Sequence, residues 1–187
     1  MLQRHRTPGA PGIDTRPAQT LKGLEHLQEA WVLVLRWLAE ARVEYVVAGA
    51  AGEAIRGRID ADGPVTIVPA PYRRNLDRLA HALVAAHSRL RTEGESETSA
   101  MRFSAGALAA GERWTLRCES YDLDVEMFPA ERYSELLYEA GRFEIESGLA
   151  VEVASLEHLE HLPHAALAAE EPEIRISRGP AVPQSSG

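Results

Sequence analysis

Two short apolar segments decide the fold of this chain. Residues 43–49 read Val-Glu-Tyr-Val-Val-Ala-Gly, and residues 65–69 read Val-Thr-Ile-Val-Pro. Both are rich in β-branched residues and end at Gly or Pro, which is typical of buried strands. Between them, residues 50–56 favour a short helix and residues 57–63 a polar loop bounded by glycines. The sequence therefore predicts a strand, a glycine turn, a short helix and a second strand as one unit.

The flanking segments predict elements that can cover this unit. Leucine and tryptophan recur at three- and four-residue steps over residues 24–42, which predicts a helix. A second helix is predicted to begin at Asn75 as its N-cap, and later helices are predicted around Tyr133 and after Ser155. Further short strands are expected at residues 101–103, 113–118, 121–128, 143–145 and 149–153. We expect an α/β (α+β) fold, with a mixed sheet of about five strands and flanking helices.

The segment 121–128 alternates strictly between apolar and acidic residues. Its apolar set is Tyr121, Leu123, Val125 and Met127, and its acidic set is Asp122, Asp124 and Glu126. Successive strand residues point to opposite faces, so the acidic side chains should share one face.

Length and composition set the domain organisation. The chain has 187 residues, which favours one domain. Residues 1–20 are rich in Pro, Gly and Arg and are predicted to be a disordered basic arm. Residues 163–187 are charged, then rich in Pro, Gly and Ser, and are predicted to be a mostly disordered tail. The folded domain is expected to span residues 21–162.

The net charge and the cysteine content argue against several classes of function. The net charge of −8 does not favour a general nucleic-acid surface, and no DNA partner is expected. Cys118 is the only cysteine, so neither an internal disulfide nor a cysteine-based metal site can form. We interpret it as a buried strand residue. No apolar run reaches the ~20 residues of a membrane span, and the N-terminus lacks a secretory apolar region. We therefore expect a soluble cytoplasmic protein without a membrane partner.

Three pieces of the sequence, in this order, resemble the nucleotidyltransferase superfamily. The first is residues 43–49 followed by Gly57, and the second is residues 67–69 with residues 75–79. The third comprises residues 114–117, residues 123–125, Tyr133 and residues 151–159. Together they cover most of residues 24–162, and more narrowly they look like the AbiEii-like, abortive-infection toxin-type proteins of toxin–antitoxin systems. The resemblance implies a minimal nucleotidyltransferase-like domain.

The resemblance also implies where chemistry would be located. In that family an Asp-x-Asp pair at the start of the second strand and a carboxylate from a later strand hold Mg²⁺ and a nucleoside triphosphate. Hard cations require such oxygen ligands, and two metal ions clamp the attacking and leaving oxygens. By this resemblance Gly49, Ala50 and Thr66 occupy cofactor-binding positions. Asp124, with Asp122 beside it, stands at the third carboxylate.

The sequence departs from the family pattern at the paired aspartates. Pro64 and Thr66 stand in their place, and neither supplies a carboxylate. Asp60 and Asp62 could replace the pair if the loop shifts, but they also fit solvated turn residues. Asp122 and Asp124 fit either a relic site or the solvent face of an exposed strand.

Two functional hypotheses follow. The first is a catalytically degenerate, non-catalytic binding or regulatory protein, with no cofactor and with a possible protein partner. The alternative is an active Mg²⁺-dependent, toxin-like nucleotidyltransferase that moves a nucleoside monophosphate onto RNA or protein. It would use Asp60, Asp62 and Asp124 as metal ligands, with a nucleoside triphosphate as co-substrate. We favour the first, because the sequence departs from the family pattern at nearly every position that should carry chemistry.

Overall fold

The computed structural model describes residues 19–20, 27–58, 60–91, 102–119 and 121–161. Within these ranges the chain forms six helices and eight strands. The helices are α1 (Glu29–Glu40), α2 (Gly49–Ile55), α3 (Arg73–Ala85), α4 (Ala105–Ala110), α5 (Ala130–Glu139) and α6 (Leu156–His161). The strands are β1 (Gln19–Thr20), β2 (Tyr45–Ala48), β3 (Val65–Pro69), β4 (Arg89–Leu90), β5 (Arg113–Cys118), β6 (Tyr121–Glu126), β7 (Gly141–Glu146) and β8 (Leu149–Val153).

All eight strands belong to one mixed sheet, in the order β1-β7-β8-β2-β3-β6-β5-β4. The predicted pair β2 and β3 lies at its centre and runs antiparallel, with Val47 opposite Ile67. β6 joins β3 in parallel, and β8 joins β2 in parallel. The last residue of β2, the start of β3 and the middle of β6 therefore lie side by side in the centre of the sheet, at Ala48, Thr66 and Asp124.

Alternate side chains of the central strands β2 and β3 belong to two different apolar clusters. Val47 and Ile67 belong to a cluster that also contains residues of α1 and α3, namely Trp31, Leu35, Leu38, Leu79 and Leu83. Val46, Ala48 and Val68 belong to a second cluster, with Tyr133 and Leu136 of α5 and Leu159 of α6. Neighbouring strand residues point to opposite faces, so the sheet is covered on both sides.

The predicted fold class is confirmed, but the strand count is eight rather than about five. β1 and β4 contain only two residues each, so periodicity alone could not reveal them. The strand expected at residues 101–103 is wrong at Phe103, which precedes α4 in irregular backbone; Met101 lies outside the described residues. α4 was not predicted, although Ser104 caps it by accepting a hydrogen bond from Ala107 N at 3.1 Å.

Asn75 is not the N-cap that the sequence predicted. α3 begins two residues earlier, and Asn75 is fully buried within its first turn. Its side chain accepts a hydrogen bond from Glu44 N at 2.8 Å and donates to Glu44 O and Ala70 O at 2.8 and 3.0 Å. The Asn75 amide therefore satisfies backbone N–H and C=O groups just before β2 and just after β3. Such groups would be costly to bury without a hydrogen-bond partner.

The predicted termini fall mostly outside the described residues. Of the arm at residues 1–20, only Gln19–Thr20 is described, and it pairs in parallel with β7. The first residues of the helix predicted over 24–42 and the tail at residues 163–187 also lie outside. Among the described helices, none has the length and apolar character needed to cross a bilayer.

Candidate functional site

β6 places three carboxylates on one face of the sheet, as its alternation predicted. Asp122, Asp124 and Glu126, which we call the carboxylate ladder, lie opposite the fully buried Leu123 and Val125. Asp124 is also fully buried, so a charged group is held in the middle of the sheet. Such burial requires partners that compensate the charge.

The partners are three arginines from the neighbouring edge of the sheet. In the antiparallel register of β5 and β6, Arg113 lies opposite Glu126 and Arg117 lies opposite Asp122. Arg91 follows β4, and its backbone N–H donates to Thr115 O at 2.8 Å. This pairing brings Arg91 alongside the same face. We call Arg91, Arg113 and Arg117 the arginine cluster.

Both carboxylate oxygens of Asp124 accept hydrogen bonds from this cluster. Arg91 Nη2 lies 3.2 Å from Oδ1, and Arg113 Nη2 lies 2.9 Å from Oδ2. The two arginine side chains keep about 30% of their surface exposed, whereas the Asp124 side chain has none. The buried carboxylate is thus screened from solvent by two guanidinium groups.

The two ends of the ladder have opposite electrostatic character. Burial alone would raise the pKa of Asp122, but hydrogen bonds from Arg117 and Arg91 outweigh it and lower the pKa below its usual value. Arg117 binds Asp122 through Nε and Nη2, and Arg91 Nη1 lies 3.0 Å from it. At Glu126, burial dominates and raises the pKa, because Arg113 Nη1 lies 3.7 Å from Oε1, too far for a hydrogen bond.

The positions that the resemblance assigned to cofactor binding come together on the adjacent strands. Thr66 of β3 pairs with Asp124 of β6 and with Ala48 of β2. Gly49 has a φ of +56°, and a Cβ built on it would lie 2.6 Å from Thr66 Oγ1. The turn therefore requires glycine twice, for its backbone conformation and for its close approach to Thr66. Ala50 follows in the first turn of α2.

Of the two loop aspartates, only Asp62 is placed beside the Asp122 end of the ladder. Asp60 is exposed and pairs with Arg58 at 3.1 Å. Asp62 accepts hydrogen bonds from Gln28 Nε2 at 3.0 Å and from Gly63 N at 2.9 Å. Asp62, Pro64 and Asp122 line one cavity of about 390 Å³.

The side chains around Asp124 do not fit a Mg²⁺ site. Thr66 offers a neutral hydroxyl, Pro64 offers no ligand, and the oxygens of Asp124 already accept bonds from two cations. Mg²⁺ requires near-ideal octahedral oxygen ligands, usually with carboxylates among them. Across the described ranges, no group of three or more His, Cys, Asp or Glu side chains is arranged to hold a metal ion.

Sequence reasoning missed the arginine cluster. Arg113, Thr115 and Arg117 alternate along β5 as the carboxylates do along β6, so an antiparallel pairing would have matched opposite charges across the two strands. No comparable signal marks Arg91, whose place depends on the two-residue strand β4.

Comparison of the chain with protein-family models and with curated proteins finds no match. The nucleotidyltransferase resemblance therefore depends on the sequence pieces and their order. Functional inference depends on the geometry of the ladder, the arginine cluster and the glycine turn.

Proposed function

We propose that this chain is a nucleotidyltransferase-like protein that no longer transfers nucleotides and acts as a binding or regulatory protein. One observation carries the proposal: Arg91 and Arg113 occupy both oxygens of Asp124. The resemblance implies a metal ligand at this position. The interactions that a metal ion would make there are made by permanent cations of the protein itself.

The chemistry of arginine supports this interpretation. A guanidinium group stays protonated at all physiological pH values, and its planar donors match a carboxylate. It supplies positive charge without the open coordination positions through which a metal ion clamps attacking and leaving oxygens. The arginine cluster would therefore stabilise the ladder and leave the site without nucleotidyl-transfer chemistry. The proposed partner class is a protein, as the toxin–antitoxin resemblance implies.

The alternative, an active Mg²⁺-dependent enzyme acting on RNA or protein, has one supporting observation. Asp62 and Asp122 line the same cavity, so a loop carboxylate does reach one end of the ladder. For metal binding, however, Asp122 would have to release Arg117 and Arg91. Asp60 would have to turn away from Arg58.

Thermal unfolding with Mg²⁺ and each of ATP, CTP, GTP and UTP at millimolar concentrations tests the proposal. We expect no shift of the unfolding temperature, since ligand stabilisation grows only as RT ln(1 + [L]/Kd). Asp124→Asn is the diagnostic variant, and Glu40→Gln, at an exposed position on α1, is the control.

A Mg²⁺-dependent shift with one nucleotide that Asp124→Asn abolishes and Glu40→Gln preserves would refute the proposal. If Asp60→Asn or Asp62→Asn also abolished that shift, the loop aspartates would be the replacement ligands. The active-enzyme alternative would then be correct.

A further inference from the structure

A groove separates the end of α4 from the corner between β6 and α5. Its volume is about 670 Å³, and its lining includes Ala109, Arg113, Glu126, Met127, Phe128 and Arg132. We call it the α4–α5 groove. Its volume lies within the range of small-molecule sites, and it combines apolar walls with a few charged groups, as such sites do.

One wall of the groove is shaped by a close glycine contact. A Cβ built on Gly111 would lie 2.6 Å from the Trp114 ring, so the turn between α4 and β5 can pack there only as glycine. The Trp114 indole N–H donates to Leu108 O at 3.2 Å and ties the strand to α4. These two contacts hold α4 and the start of β5 together, so the wall of the groove that they form is fixed.

Arg132 presents a cation to this groove. Its guanidinium carbon lies 4.0 Å from the centre of the Phe128 ring, so the side chain is stacked on an aromatic face. Arg132 is exposed, and its positive charge acts on Glu126, which lines the same groove. Stacking holds the guanidinium in place and leaves its N–H donors available.

Arg113 contributes a second, incompletely satisfied guanidinium. Its Nη2 bonds Asp124, but its Nε is buried and has no hydrogen-bond partner among the described residues. Buried donors without partners are rare in native proteins, and each requires an explanation. If the Arg113 side chain moved slightly toward the groove, its Nε–H group could donate a hydrogen bond to an acceptor bound there.

We propose that the α4–α5 groove binds a small organic oxyanion, a phosphate monoester or carboxylate that carries an apolar body. Arg132 and Arg113 contact the oxyanion, since planar guanidinium groups bind both types through paired hydrogen bonds. The apolar body packs against Met127 and Phe128. The inference rests on the proposed function, because it requires Arg113 rather than a metal ion beside Asp124.

Two carboxylates also line the groove. Glu126 Oε1 lies 3.7 Å from Arg113 Nη1, and Glu112 is the other carboxylate in the lining. A negative charge on Glu126 would repel an oxyanion bound between the two cations. Glu126→Gln removes that charge and should therefore tighten oxyanion binding.

Calorimetric titration of the full chain without Mg²⁺ tests the inference. The probes are phenyl phosphate, phenylacetate and the neutral benzyl alcohol. We expect saturable binding of at least one oxyanion, and weaker or no binding of benzyl alcohol. Arg132→Gln should weaken oxyanion binding by roughly tenfold or more, the scale of a charge-assisted hydrogen bond. Arg74→Gln, at an exposed position in the first turn of α3, should bind as the wild type does.

Three results would overturn the inference. They are no saturable binding of either oxyanion, equal binding by Arg132→Gln and the wild type, or equal affinity for benzyl alcohol. Unfolding curves of each variant verify that it is folded. Because these titrations contain no Mg²⁺, their failure leaves the proposed loss of nucleotidyl transfer standing. A Mg²⁺-dependent nucleotide shift would instead refute that proposal, whatever the groove binds.

Discussion

The two faces of β6 are held in place by different physical interactions. On one face Leu123 and Val125 are fully buried in the apolar cluster with α1 and α3. On the other face Asp124 is equally buried but depends on two guanidinium groups. Apolar burial is non-directional and scales with area, whereas a buried ion pair adds little net stability over an apolar equivalent. The apolar face therefore explains the fold, and the charged face calls for a functional explanation.

The largest expected effect comes from the apolar face. Leu123→Ala should lower the free energy of unfolding by about 2–5 kcal/mol, because it removes packed methyl groups and leaves a cavity. Urea unfolding measures it, with Val84→Ala as the control, since Val84 is 55% exposed. A cost for Leu123→Ala no larger than that control would mean that this face is not the main support of the strand.

A substitution on the charged face should lower the free energy of unfolding by less. Asp124→Asn removes the counterion that Arg91 and Arg113 share. Arg91 keeps Asp122 at 3.0 Å and Arg113 keeps Glu126 at 3.7 Å, and both arginine side chains retain about 30% exposure and can be hydrated. We expect a loss of about 1–3 kcal/mol, as for a buried charged hydrogen-bonding group that loses its partner. Urea unfolding beside Leu123→Ala gives the comparison directly. A loss larger than that of Leu123→Ala would reverse the ranking of the two faces.

The ends of the ladder should show opposite pH dependence. The folded-state pKa of Asp122 is lowered, so its contribution is present above the unfolded value of about 3.9 and is lost as pH falls through the folded pKa. Asp122→Asn should therefore destabilise at neutral pH, and this difference from the wild type should shrink in acid.

Glu126 has a raised folded-state pKa, so its ionisation disfavours the folded state as pH rises above the unfolded value of about 4.3. Glu126→Gln should stabilise at neutral pH, and the gain should vanish in acid. Urea unfolding of both variants across this range checks the signs. Two variants that shift stability in the same direction at neutral pH would show that the ladder titrates as one unit.

The sequence predicted what local periodicity encodes. The pair β2 and β3, the alternation of β6 and the buried Cys118 all follow from residue patterns within single segments. The arginine cluster did not follow from the pattern of any single segment. It depends on the register between β5 and β6 and on the position of β4 at the sheet edge. Asn75 was misassigned for a related reason. An asparagine before a helical stripe fits a cap, and only the tertiary structure shows that its amide joins two distant strand ends.

The smallest effect is expected in the loop, where carboxylates of the same chemical type lie in solvent. Asp60 has a side-chain exposure of 75%, and its partner Arg58 is 56% exposed. Exposed pairs of this kind contribute little, because water and salt screen the attraction and both side chains lose rotamer freedom. We expect Asp60→Asn to leave the urea midpoint unchanged, at low and at high salt, when it is measured beside Asp124→Asn. A loss that approaches that of Asp124→Asn and disappears at high salt would place Asp60 in a coupled, partly desolvated charge network. The loop and the strand would then form one electrostatic unit, which is the arrangement that the active-enzyme alternative needs.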